Sequence, residues 1–287
     1  MTIMNNHRDR ARSEVAVSIT TMPRGEFFAA LLILAYLNGV ALRTIAIVTD
    51  QGWQEAILST FGVSLIVWLA WIAGVWLLLT ECGGPIRKFD LSVGVVGLFL
   101  IWLPIGGTSW LAMTAISMYL VLSEKTGSNA RRAAIILLAV SVPMFWSPML
   151  FMAFSDVILR VDAVMVGRLL GTESSGNLVN FANGPDSLVI LPVCSSFAHL
   201  SLIPLCWIAL TVIINHRATL MDLMWCGAAL ATVVLINVVR LTIMGLNVDY
   251  YLLLHSSTGD TAVNLITTSL AIGICVYGLR RELFSRI

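Results

Sequence analysis

Cys194 is the residue of this sequence that is best placed to act as a nucleophile. Pro192 stands two positions before it, and proline suits the first turn of a helix because its missing N–H group costs nothing there. We therefore expect Cys194 in the first turn of a helix, where free backbone N–H groups and the helix dipole favour the thiolate, the nucleophilic form. Ser195 follows as a supporting residue. The competing interpretation is a cysteine that merely sits at a helix start.

Arg240 is a second candidate, because it lies within an apolar stretch and not at its end. It stands six residues before Leu246, which is about 9 Å along a helix. An arginine at such a depth costs on the order of 2.5–3.5 kcal/mol on insertion scales. Asn237 lies one turn earlier on the same face and could hydrogen-bond within the same polar pocket. The alternative is a side chain that reaches back to the outer headgroups.

His255 is the candidate general base. It falls in a predicted loop, Asn247–Asp260, just before the last apolar stretch, and a histidine near a helix N-terminus tends to stay neutral. Taken alone, an ordinary solvated histidine explains this position better. His199 is the second choice: it follows Cys194 by five residues, so on a helix it lies about 140° around the axis and points away from the thiol.

The chain as a whole is too apolar for a water-soluble globule. Of its 287 residues, 58% are hydrophobic and 11% are charged, and the mean hydropathy is +0.91, whereas soluble domains carry about 25% charged residues. The bilayer must therefore be the solvent for most of the surface. The net charge of +1 gives no case for nucleic acid as a partner. No spacing of His and Cys resembles a zinc site, so no metal or cofactor is predicted.

The apolar stretches predict an all-α bundle of about eight membrane-spanning helices. Leu91–Leu122 is apolar for 32 residues and exceeds the bilayer as a single helix, so we predict two short helices that meet at a break over Pro104–Gly107. Ser155–Ile190 is predicted to lie outside the membrane, with a surface helix over Val157–Leu170. The other six spans are predicted at Glu26–Val48, Ile57–Leu79, Ala133–Phe154, Pro192–Ile214, Leu220–Leu246 and Thr261–Leu279.

The positive charges set the predicted orientation. With both termini in the cytoplasm, 13 of the 17 Lys and Arg residues fall on the inner side, in agreement with the positive-inside rule. We therefore predict a cytoplasmic tail over 1–25, an uncleaved first span, and a single integral domain over 26–287 in the plasma (inner) membrane. The active site would lie on the outer face. The four outer cations are Arg43, Arg160, Arg168 and Arg240.

The five cysteines do not predict a disulfide framework. Cys82 is predicted at the inner boundary, while Cys206, Cys226 and Cys275 fall within spans, where cysteine ordinarily serves as small apolar filler. Cys194 is the one outward cysteine and has no outward partner for a disulfide.

The order and spacing of the candidate residues resemble the exosortase/archaeosortase family. The matching stretches are Val193-Cys194-Ser195-Ser196, Asn237-Val238-Val239-Arg240 and His255, with Cys194, Arg240 and His255 separated by roughly 46 and 15 residues. The resemblance covers Asp186–Leu279, the predicted catalytic part, and is vague before residue 130. One departure is visible: the family often has Cys-Ser-Gly, whereas Ser196 stands at the third position here, which can change the turn beside the nucleophile.

The resemblance implies a membrane-embedded cysteine transpeptidase. Its substrates would be exported proteins with a short sorting motif, a C-terminal transmembrane helix and a basic tail, and it would work among membrane lipids without a cofactor. Cys194 would attack the backbone carbonyl at the motif to form a thioester acyl-enzyme, and an envelope nucleophile would accept the acyl group. His255 would be the acid/base, and Arg240 would stabilise the thiolate or the oxyanion.

Two other classes of function stay open from the sequence. A membrane cysteine protease could hydrolyse its substrate with the same residues, and only product analysis would separate it from a transpeptidase. A non-enzymatic transporter or assembly protein would also place charges within spans and use broken helices such as Leu91–Leu122. The intramembrane charges lie near one face and not at the midplane, however, and no two-fold repeat is evident. These observations favour the enzyme.

Overall fold

The fold is built almost entirely from helices. The computed structural model describes residues 22–81 and 84–280, and about 78% of the chain is helical, which confirms the all-α class. Contacts divide the chain into two compact units, Met1–Ser141 and Val142–Ile287; a single domain over 26–287 stays a prediction. In the described residues, four helices are long and apolar enough to cross a membrane: Arg24–Leu58, Asn129–Leu170, Leu220–Met244 and Thr258–Gly278.

The first two helices of the first unit have different bounds from the predicted spans. The predicted span Glu26–Val48 is too short, and the helix has a kink at Gly52, where φ is 84°. The predicted span Ile57–Leu79 begins too early, because a turn with positive φ at Thr60 and Phe61 interrupts it. The helices are α1 (Arg24–Leu58), α2 (Leu65–Leu79), α3 (Lys88–Trp102), α4 (Thr108–Ser123) and α5 (Asn129–Ser141), with a 3-10 turn at Thr60–Gly62.

The predicted break in Leu91–Leu122 is confirmed. Helix α3 ends as Leu103 turns extended, and α4 begins after Gly107, whose φ of 97° lies in the region that glycine adopts without steric cost. Proline in the position after Leu103 removes a backbone donor and disfavours helical geometry in the residue before it. The sequence therefore sets this break locally.

Aromatic side chains and small residues pack the first unit. Tyr36 is fully buried and stacks on Trp71, with ring centroids 4.4 Å apart and planes 18° apart. Trp110 meets the same tyrosine edge-on. A Cβ added to Gly39 would lie 2.7 Å from the Trp110 ring. Small residues at such positions let helices approach closely, which is how helices associate where no water drives them together.

Arg24 does not belong to an N-terminal tail. It is the first residue of α1, is only 5% exposed, and donates to both carboxylate oxygens of Asp90, at 2.8 and 2.9 Å. Tyr119 donates its hydroxyl to the same carboxylate at 2.6 Å, and Glu124 also pairs with Arg24. The last two residues of the predicted tail over 1–25 are thus helical, while the tail itself stays a prediction; residues 1–21 lie outside the described part of the chain.

The second unit contains a small sheet as well as helices. After a π-helical segment at Val142–Trp146, its elements are α6 (Ser147–Leu170), β1 (Ser174–Ser175), β2 (Leu178–Asn180), β3 (Ser187–Val189), a 3-10 turn (Pro192–Cys194), α7 (Phe197–Leu200), α8 (Leu202–Ile213), α9 (Leu220–Met244), α10 (Val248–His255) and α11 (Ser257–Gly278). The strands form one antiparallel sheet in the order β1-β2-β3.

The predicted end of the fifth span at Phe154 coincides with a kink and not with the end of a helix. Helix α6 continues to Leu170, with non-helical dihedral angles only at Phe154 itself, so the predicted surface helix Val157–Leu170 is the second half of α6. Its apolar face packs against the sheet: Leu159 and Val166 of the helix and Leu188 of β3 belong to one buried cluster. The sheet thus covers the end of α6 and leads the chain toward Cys194.

The predicted outer loop Asn247–Asp260 is mostly helical. Asn247 caps α10 by accepting from the Tyr250 N–H at 3.0 Å. Ser256 separates α10 from α11 and caps the latter, because its hydroxyl oxygen accepts from the Gly259 N–H at 3.1 Å. The last apolar helix therefore begins at Ser257, four residues before the predicted start at Thr261.

Candidate functional site

The spacing from Pro192 suggested that Cys194 lies in the first turn of an α-helix, but the structure has no α-helix there. Cys194 ends a 3-10 turn over Pro192–Cys194, and Ser195 after it is extended, with φ −70° and ψ 143°. The following helix, α7, has only four residues and begins at Phe197. The predicted helix dipole at the thiol is therefore wrong. The segment from Pro192 to Ser196 was predicted as the first turn of a helix. It is an irregular turn, and other elements hold it in place.

Two helices clamp this turn from different sides. Asn237 of α9 donates from Nδ2 to the Cys194 carbonyl oxygen at 2.9 Å and to Ser196 Oγ at 3.1 Å. Asp162 of α6 accepts from Ser195 Oγ at 2.6 Å and from the Ser196 N–H at 3.2 Å. All of these side chains are buried. Asn237 thus holds the turn through the Cys194 carbonyl oxygen and the Ser196 hydroxyl. Ser195 belongs to the turn and links it to Asp162 through its own hydroxyl.

The backbone amides around the thiol are all in use. Each N–H group from Cys194 through Phe197 already donates a hydrogen bond within the protein, so none is free to receive the negative charge that an attacked carbonyl develops. Acyl-transfer enzymes commonly use backbone N–H groups for that purpose. The acceptors, in chain order, are Leu191 O, Pro192 O, Asp162 Oδ2 and Ser195 Oγ, at 2.9, 3.2, 3.2 and 3.2 Å.

Arg240 supplies a donor that the backbone does not. It lies one turn after Asn237 on α9 and is 5% exposed. Its Nη2 donates to the Leu254 carbonyl oxygen at 3.2 Å and to Asp260 Oδ1 at 2.8 Å. Its Nε is buried and has no hydrogen-bond partner among the described residues. A buried guanidinium donor without a partner is costly, and it is available to a bound carbonyl oxygen.

The same arginine borders a small apolar cleft. The cleft has a volume of about 160 Å³ and is lined by Val239, Ile243, Leu254 and Ile266 beside Arg240. The surface that the cleft exposes is apolar, so the cleft fits an apolar segment. The described residues contain no group of three or more His, Cys, Asp and Glu side chains that could hold a metal ion.

The two histidines lie on different helices, His255 on α10 and His199 on α7. His255 is the last residue of α10, directly after the Leu254 carbonyl that Arg240 contacts; its ring is exposed and stacks on Tyr251 at 5.1 Å. His199 is partly buried in α7. No continuous helix joins it to Cys194, so the 140° argument that placed it away from the thiol is wrong.

Cys194 and His199 both precede the apolar helix α8, and burial shifts both of their pKa values. Burial raises the pKa of the Cys194 thiol; the positive charge of Arg240 acts in the opposite direction without cancelling this effect. Burial also lowers the pKa of His199, with Asp260 acting against that shift. Burial thus acts on the pKa of the thiol against the thiolate, in the direction opposite to the one that the predicted helix start favoured.

Asp162 is the site residue that sequence reasoning missed. A signal for it was present: Leu159, Asp162, Ala163 and Val166 follow helical spacing, and this stripe is the buried face of α6. A carboxylate on an otherwise apolar stripe needs buried hydrogen-bond donors. Asp260, which pairs with Arg240, had appeared only as the end of the predicted loop Asn247–Asp260. Ser196 had been noted as a departure from a family motif, and its hydroxyl accepts from Asn237.

Three of the remaining four cysteines lie within helices and form no disulfide. Cys206 lies in α8, Cys226 in α9 and Cys275 in α11, and all three are free thiols, as is Cys194. Cys82 lies outside the described residues.

Comparisons with known proteins return no relative for this site. No protein-family model, no curated protein and no solved structure matches the chain. The resemblance to the exosortase/archaeosortase family therefore rests on the residues and spacings of the sequence.

Proposed function

We propose that this chain is a membrane-embedded cysteine transpeptidase of the exosortase type, with Cys194 as nucleophile, Arg240 as oxyanion donor and His255 as acid/base. The observation that carries the proposal is the state of the donors around Cys194. The amide N–H groups from Cys194 through Phe197 are occupied, whereas Arg240 Nε is buried and unpartnered among the described residues. A thiol within reach of the positive charge of Arg240 is suited to attack on a carbonyl group.

The proposed reaction has two halves. In the first, His255 takes the thiol proton, the Cys194 sulfur bonds to the substrate carbonyl carbon, and the carbonyl oxygen becomes an anion held by Arg240. The C–N bond then breaks, and the amine of the departing C-terminal helix takes the proton from His255. In the second half, an envelope nucleophile gives its proton to His255 and attacks the thioester, which releases the thiol. Water in that role would make the same enzyme a protease.

The proposed setting is the plasma (inner) membrane, with eight spans, both termini in the cytoplasm and the site on the outer face. The four long apolar helices and the distribution of Lys and Arg residues support it. The substrates in this proposal are exported proteins with a C-terminal sorting motif, a transmembrane helix and a basic tail, the class that the family resemblance implies.

The proposed orientation predicts which side of the membrane two exposed positions face. After replacement of the five native cysteines, Ser187→Cys on β3 should react in intact cells with a membrane-impermeant maleimide. Thr126→Cys, equally exposed between α4 and α5, should react only after the cells are opened. Labelling of Thr126→Cys in intact cells, or protection of Ser187→Cys, would contradict the span count and the outward site.

The histidine pair tests the acid/base assignment. His255→Ala should lower substrate processing by about 10²–10⁴-fold, the usual loss for a general acid–base, because no other group then takes the thiol proton. His199→Ala should retain most of the processing at equal protein levels. The measurement is the fraction of substrate that loses its C-terminal helix. The reverse pattern would move the acid/base role to His199, which shares the neighbours Arg240 and Asp260 with Cys194.

A further inference from the structure

We propose that Asp162 is a positioning residue of the site, which holds the Cys194 thiol against Arg240 by fixing the turn that follows the cysteine. This inference rests on the proposed function. Asp162 touches no candidate reacting atom: its contacts are with Ser195 and Ser196, the two residues after the nucleophile. Its effect on chemistry must therefore pass through the backbone of this turn.

The hydrogen bonds of Asp162 have a geometry suited to that role. One oxygen, Oδ2, accepts both the Ser195 hydroxyl at 2.6 Å and the Ser196 N–H at 3.2 Å. Ser195 Oγ in turn accepts from the Phe197 N–H at 3.2 Å, at the first residue of α7. A single carboxylate oxygen thus connects α6 with the turn and, through Ser195, with the start of α7.

The opposite side of the turn is held by the helix that carries Arg240. Asn237 holds the Cys194 carbonyl oxygen at 2.9 Å, and Arg240 lies one turn further along α9. If Asp162 released its side, the bond from the Asn237 amide would be the one hydrogen bond among the described residues that still joins Cys194 to α9. Apolar packing against residues such as Val238 and Leu241 would remain beside it. The backbone hydrogen bonds of Cys194 and Ser195 reach only to Leu191 and Pro192, three residues earlier, so they fix the local turn but do not attach it to α6 or α9.

The burial of Asp162 argues against a role in packing alone. Its exposure is 2%, and among the described residues it has no ion-pair partner. Removal of a lone carboxylate from water is costly, and apolar side chains of similar volume often fill such positions with equal or greater stability. The feature that an apolar residue could not reproduce is the pair of hydrogen bonds to the turn.

The test measures how strongly Arg240 acts on the Cys194 thiol. In the full-length protein with the other four cysteines replaced, the rate of reaction of Cys194 with methyl methanethiosulfonate is followed against pH. The plateau of the rate at high pH reports how accessible the thiol is, and the midpoint of the curve reports the charges around it. These are chiefly Arg240 and Asp260; Asp162 and His199 lie on the adjoining helices. Arg240→Gln should raise the midpoint by about one pH unit, which is about tenfold in rate below the midpoint, because a cation that favours thiolate is lost.

The same Arg240→Gln shift is then measured in two Asp162 backgrounds. In Asp162→Ala we expect it to fall close to zero, since the thiol is no longer held against α9. In Asp162→Asn it should persist, because a neutral amide oxygen can accept both bonds that Oδ2 accepts now. Asp156→Ala, an exposed carboxylate of the same helix, is the control and should leave the shift unchanged. If Asp162 acted only in folding, Asp162→Ala would lower the yield of protein. Arg240→Gln would then still raise the midpoint in that background by the same amount.

The outcomes separate this inference from the proposed function. An undiminished Arg240→Gln shift in Asp162→Ala would overturn the positioning role and leave the roles of Cys194 and Arg240 untouched. The same loss of the shift in Asp162→Asn as in Asp162→Ala would replace positioning by a role of the negative charge, and would also overturn it. If Arg240→Gln shifts the midpoint in no background, then Arg240 does not act on the thiol, and the proposed function fails together with the inference.

Discussion

Cys194→Ala is expected to leave substrate proteins at full length, with the C-terminal helix still attached. Alanine has no group that can form the acyl-enzyme, so the loss should be on the order of 10⁴-fold or more, as for other covalent nucleophiles. Cys194→Ser should be nearly as inactive, because a hydroxyl without strong base activation is a far poorer nucleophile. The measurement is the set of C-terminal peptides of exported proteins, compared by mass spectrometry between cells that hold equal amounts of each variant.

Cys206→Ala is the matched control for this experiment. Cys206 is also a buried, free thiol, but it lies in α8, away from the clamped turn. Processing by this variant should be unchanged. If Cys194→Ala cells still release the C-terminal helices, the thiol is not the nucleophile, and the transpeptidase proposal would have to be abandoned in favour of a non-enzymatic membrane protein.

Arg240→Lys is expected to lose about 10²–10³-fold of the activity, the usual cost of removing one oxyanion donor. Lysine keeps a positive charge that could pair with Asp260, but it has no Nε–H in the position of the unpartnered donor and no planar fork. Since the two residues cost about the same to insert into a bilayer, the amount of protein in the membrane should not change. The measurement is the rate of substrate cleavage under saturating and limiting substrate.

Arg160→Lys provides the comparison. Arg160 is an exposed residue of α6, and its replacement should affect neither cleavage nor expression. An Arg240→Lys variant that cleaves at the wild-type rate would show that only charge is needed at this position. The assignment of the unpartnered Nε as the oxyanion donor would then be wrong, even if Cys194 remained essential.

The sequence predicted those features of the fold that local chemistry decides. The all-α class follows from composition, and the break between α3 and α4 follows from Pro104 and Gly107, whose backbone preferences act without help from distant residues. Asn237 and Arg240 share one face of α9 because helical periodicity alone puts them there. Each of these predictions needs only a residue and its near neighbours in the chain.

The features that could not be predicted depend on contacts distant in sequence. Pro192 before Cys194 indicated a helix start, but the turn is fixed by Asp162, 33 residues away in sequence from Ser195, and by Asn237, 43 residues away from Cys194. Pairings of this kind leave no periodic pattern. The helix over Val157–Leu170 was predicted, but its continuity with the preceding helix and its packing against the sheet were not, because the partner strands are distant in sequence.

The burial of Cys194 has a consequence for the survival of the protein outside the cell's reducing interior. Oxidants and foreign disulfides attack the thiolate form, and they attack exposed groups first. Cys194 is only 5% exposed, and burial keeps its pKa high, so the resting sulfur is a poor target for sulfenic acid formation or for mixed disulfides with other exported chains. In the proposed orientation Cys194 would face an oxidising compartment, where disulfides persist, and the packing that buries its side chain would shield it there.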